Sequence, residues 1–79
     1  MTEAQRARAW RESMGLSRPA LSALTGYSVS AIRSFEDGKQ IGGVRGQIVP
    51  RDMLAYKMAC AAVASGLTFD WGTVTIQIP

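Results

Sequence analysis

The chain has no histidine and only one cysteine, Cys60, among its 79 residues. Those shortages remove the common donor sets for zinc and the Cys–His and Ser–His pairs of nucleophilic catalysis. A lone cysteine cannot close an internal disulfide, which suits a reducing compartment. No apolar run reaches the length of a membrane span, and Glu3, Arg6, Arg8, Arg11 and Glu12 break up the first dozen residues. Neither a transmembrane helix nor a signal peptide is expected, and the expected location is cytoplasmic. An enzyme would have to use a serine with a lysine, or two aspartates. The acids are scattered, and Ser17 and Ser28 serve as helix caps, so no catalytic residue, metal, cofactor or small-molecule ligand is expected.

What is present is a small, apolar and mildly basic chain. A hydrophobic share of 47% argues against disorder, and the length allows one core only. The net charge of +3 is a weak pointer by itself. Its placement is more informative: Arg18, Arg33, Lys39, Arg45 and Arg51 fall in or just after one central segment. Such a grouping fits a phosphate backbone, although a merely solvated basic face would look the same.

Hydrophobic spacing divides residues 1–66 into four helices. Thr2 caps the first, with Gln5 three residues on, and Ala7, Trp10 and Met14 form its inward stripe up to Gly15. Ser17 caps the second, Pro19 sits in its first turn, Ala20, Leu21 and Leu24 face inward, and Gly26 supplies the turn. Ser28 caps the third, which ends at Gly38. Its inward residues are Ala31, Ile32 and Phe35, which leaves Val29, Ser30, Arg33 and Ser34 outward. Two short helices joined in this way can offer one helix face to the DNA major groove. The stretch Lys39 to Val49, with three glycines, reads as a long loop. Pro50 opens a fourth helix through Ser65, closed by Gly66, with Met53, Leu54, Lys57, Met58, Ala61 and Ala64 on two apolar flanks and Cys60 as filling.

Residues 67–79 form an extension of different character. Thr73-Val74-Thr75-Ile76-Gln77-Ile78 alternates with period two and reads as one strand without a partner elsewhere in the chain. Pairing with the same strand of a second copy would satisfy its backbone, and a tail lying on the helices is the alternative. Phe69, Trp71, Val74, Ile76 and Ile78 are the candidate dimerisation residues. Trp10, Tyr27, Phe69 and Trp71 are read as core or dimer packing rather than as stacking platforms for single strands.

The segment Arg11 to Gly38 resembles the lambda-repressor-like helix-turn-helix family, which includes Cro- and C1-type phage repressors. The resemblance rests on Arg11, Gly15-Leu16-Ser17-Arg18, Leu21-Ser22, Gly26-Tyr27-Ser28, Ile32 and Glu36-Asp37-Gly38. It implies a mainly α, four-helix domain over 1–66, with the C-terminal strand serving dimerisation. It also implies that Val29, Ser30, Arg33 and Ser34 face the bases, and that Arg11 and Glu36 form a buried pair between helices one and three. Arg33 could take guanine O6 and N7 with two donors, or simply hold a phosphate. Ser17, Arg18, Ser28, Lys39, Gln40, Arg45 and Arg51 are the backbone contacts. Arg18 replaces the glutamine common in the family, and the glycine-rich loop is longer than the family's. The function so implied is a homodimeric repressor of phage or prophage type on a palindromic duplex operator. The competing reading is an adaptor or antitoxin-like protein whose terminal strand binds another protein.

Overall fold

Hydroxyl side chains decide where the first three helices start. The computed structural model describes residues 1–39, 48–71 and 73–76. Helix α1 spans Glu3–Ser13, α2 Arg18–Thr25, α3 Val29–Asp37 and α4 Pro50–Ser65. At α1 the Gln5 amide donates to Thr2 Oγ1 at 3.1 Å, and the Thr2 amide donates to Gln5 Oε1 at 2.9 Å, a complete capping box. Ser17 accepts from the Ala20 amide at 3.2 Å and Ser28 from the Ala31 amide at 3.0 Å. Each serine so satisfies one of the amides that a helix start leaves unpaired. Gly26 and Gly38 close α2 and α3 at φ of 82° and 70°, a left-handed geometry that costs other residues energy.

The protein is mainly helical, with α1 and α2 both packed on α3, and α4 against α2. The core is Leu21 of α2, Ile32 and Phe35 of α3, and Met53 and Tyr56 of α4. Three rings lock it. Phe35 and Tyr56 stack at 4.3 Å, and Tyr27 meets both edge-on, at 5.6 and 5.3 Å. Edge-on and parallel ring contacts of this kind add to the value of the buried area itself. Beside Tyr56, burial pushes the Cys60 thiol above its ordinary pKa, and a hydrogen bond with Tyr56 offsets only part of that. Cys60 is therefore a neutral thiol packed at the core edge.

Several inward assignments need correction. Met14 is the C-cap of α1, past its last helical residue, and is 44% exposed. Leu24, one turn after Leu21 near the end of the eight-residue α2, is 58% exposed. In α4 the core stripe is Met53, Tyr56, Cys60 and Val63, while Leu54 and Met58 face solvent. Tyr56 and Val63 were not singled out from the sequence; the Tyr56 phenol reads as polar although the ring carries most of its surface.

The C-terminal segment is also corrected. Strand β1, Leu67–Asp70, pairs antiparallel with β2, Thr73–Ile76, in the register Leu67 with Ile76 and Phe69 with Val74. The strand therefore has a partner inside its own chain along one edge, and the expectation of a strand without one is withdrawn. Trp71, at φ 29°, lies in the intervening turn and is 91% exposed, not core. Ile78 and most of the expected loop, Gln40 and Arg45 included, lie outside the described residues.

Truncating Tyr56 to alanine should remove about 3–5 kcal/mol of stability, as expected for a large ring in a packed core. Leu24→Ala should change it by only about 0.5 kcal/mol. Urea unfolding followed by circular dichroism measures both, and equal losses would contradict this core.

Candidate nucleic-acid interface

The orientation of α3 is fixed at one carboxylate. Glu36, in the last turn of α3, is 7% exposed and receives two guanidinium groups. Arg11 of α1 donates through Nε to Oε2 at 2.5 Å and through Nη2 to Oε1 at 3.0 Å, while its Nη1 reaches the Leu16 carbonyl at 2.9 Å. Arg18, the first residue of α2, places Nε and Nη2 each 3.1 Å from Oε1. The expected Arg11–Glu36 pair is present, and Arg18 makes it a triad. Burial by itself would push the Glu36 carboxyl up, yet the hydrogen bonds and charges of Arg11 and Arg18 outweigh it and hold it below the usual range. The same contact raises Arg11, against the effect of its own burial. Two cations on one anion leave the cluster with an excess positive charge beside the start of α2.

With Ile32, Phe35 and Glu36 turned inward, the exposed residues of α3 are Ser30, Arg33 and Asp37, and Val29 is half-buried beside them. Ser34 does not belong to this face. It is only 9% exposed, so its assignment as a base contact is withdrawn. The reason is the approach of α1. Gly38 lies one turn beyond Ser34 on the same flank, and a Cβ placed on it would sit 3.5 Å from the Ala4 methyl. Asp37 takes the vacated place. The sequence reading used it only as part of a motif, although it stands four residues after Arg33, the spacing of a shared helix face.

The side chains of Arg33, Lys39 and Arg51 make no ion pair or hydrogen bond among the described residues. Lys39 is exposed just beyond the Gly38 cap, and Arg51 is exposed in the first turn of α4. Ser17 and Ser28 stand exposed at the N-termini of α2 and α3, where free amides and the helix dipole favour anions. Arg18 differs from these, since its head is bound to Glu36 and its side chain is 25% exposed. The expected dimerisation residues Phe69, Val74 and Ile76 lie in the hairpin strands, and Trp71 lies in its turn.

Among the described residues no three metal-ligating side chains cluster, and no helix is long and apolar enough to cross a membrane. The chain matches no protein-family model, no curated protein and no solved structure.

Replacing Glu36 by glutamine strips the counter-charge from two partly buried arginines and should cost about 3–5 kcal/mol. Because its carboxyl is depressed in the folded state, the stability it supplies is complete above the unfolded value of about 4.3. That stability is lost as pH falls through the lower, folded value. Thermal melts from neutral to acid pH should therefore fall less steeply for Glu36→Gln than for the natural chain. Parallel curves would show that Glu36 is not the linked group.

Proposed function

We propose that the chain is a sequence-specific duplex DNA-binding regulator that inserts α3 into the major groove. The observation that carries this reading is an exposed, uncommitted Arg33 on a helix whose opposite face is held rigid by the core and by Glu36. The α2–turn–α3 unit then acts as a helix-turn-helix of the lambda-repressor-like type, with Arg33 and Ser30 reading base edges and Val29 packing on a thymine methyl.

Charge sets the polarity of docking. The N-terminus of α3 carries free amides and the capping hydroxyl of Ser28, which attract phosphate. Its C-terminal end carries Asp37, which repels phosphate and can accept only from a donor such as cytosine N4. The helix therefore enters N-terminus first. Ser17 and Lys39 flank it as phosphate contacts, and the Arg18 guanidinium, aligned by Glu36, turns its remaining donors to the backbone. Two copies on a palindromic operator would place their α3 helices about 34 Å apart and act as a repressor.

Selection of bound duplexes from a random pool tests this directly, and the expected outcome is a two-fold symmetric site. Arg33→Ala should cost about 1–3 kcal/mol on the selected site and relax preference at one base pair of each half. Lys39→Ala should weaken all sequences alike and lower the salt slope by about one per copy. Binding to every duplex with equal affinity would refute base reading, and no binding at low salt would refute the function.

A further inference from the structure

Helix α1 packs on α3 and α4 packs on α2, and a hollow of about 310 Å³ is left between α1 and α4. Its size falls at the lower end of the range for small-molecule sites. Trp10 of α1 and Met53, Tyr56 and Cys60 of α4 line it, two aromatic rings and two sulfur atoms. Ala7 and Ala61 line it too, and their methyl groups leave space that larger side chains would fill. The mouth is charged. There Glu3 accepts from Lys57 at 2.9 Å, from one helix to the other, while Arg6 approaches Glu3 only to 3.5 Å. All three border the hollow, so two cations share one carboxylate at its edge. The walls come from helices far apart in the chain, and no local pattern in the sequence shows them together.

We propose that this hollow binds a small aromatic carboxylate, with its rings between α1 and α4 and its head group at Arg6 and Lys57. The lining favours an aromatic body. Sulfur atoms make favourable contacts with aromatic rings, and Trp10 and Tyr56 give the ligand aromatic neighbours. Burial keeps the Cys60 thiol protonated, so it brings no charge to repel an anion. Volume sets the size of that body. A cavity of about 150 Å³ takes one benzene, so about twice that volume takes two fused rings. Charge sets the head group. The excess positive charge at the mouth favours an anion, and Arg6, which Glu3 holds less closely than Lys57, offers a fork matched to a carboxylate. A cationic head group would meet Arg6 and Lys57, with a carboxylate that they already share as its one acid partner there. The ligand ties α1 to α4 without DNA, so the inference stands apart from the proposed function.

Titration of the full chain with naphthoate, followed by the indole N–H signals in NMR, is the test, with naphthamide as the uncharged match. Trp10 lines the hollow and Trp71 lies in the hairpin turn, so the Trp10 signal should shift to saturation while that of Trp71 stays in place. Trp71→Phe assigns the two signals. The amide should bind roughly threefold more weakly than the acid. Arg6→Ala should weaken naphthoate by a similar factor and leave the amide unaffected. Arg8→Ala removes an exposed cation of α1 outside the hollow and should change neither. Ala61→Trp fills the hollow from an exposed position and should abolish binding of both compounds. Ala7→Leu fills it from the other helix should the first variant fold poorly. No shift of Trp10 at millimolar naphthoate, equal affinity for acid and amide, or binding that survives both filled variants would overturn the inference.

Discussion

The arrangement of α1, α2 and α3 turns on Glu36. Its two oxygens accept from guanidinium groups on both other helices, so a change in the seating of either helix breaks a charged hydrogen bond inside the fold. Such a cluster is not a large source of net stability, because three charges must lose water to form it. Its value lies in direction. Ring stacking and aliphatic contact tolerate small rotations of α3, whereas a forked guanidinium on a carboxylate does not. The apolar core holds the helices together, and the triad fixes how α3 is turned within it.

Much of this was legible in the sequence because it is local. Thr2, Ser17 and Ser28 mark helix starts, Gly26, Gly38 and Gly66 mark helix ends, and the structure places its boundaries there. Local signals cannot say which neighbour covers a helix flank. Ser34 looks outward on α3 taken alone and is buried because α1 lies over that flank. Leu24 and Met14 fit an inward period, yet the chain has left the core where they stand. Tyr56 was passed over, and the bond of Arg18 to Glu36 went unseen, for a related reason. A phenol and a guanidinium read as surface groups until the ring cluster and the carboxylate that receive them are known.

The hairpin shows the same limit in another form. Its second strand announces itself by six alternating residues, whereas Leu67–Asp70 is four residues long, follows directly on a helix cap and ends in an acid. Pairing of such a strand depends on its neighbour and not on its own propensity. That pairing lies inside the chain and runs along one edge of each strand, while Leu54 and Met58 of α4 are left exposed.

Helix α3 divides its work by face. Ile32, Phe35 and Glu36 carry the fold, while Ser30, Arg33 and Asp37 carry no contact on which the fold depends. The demands of folding therefore fall on one set of residues and spare their immediate neighbours. Substitutions on the outward face are close to neutral for folding, so descendants of this chain can drift in what the helix meets while inheriting the frame that presents it.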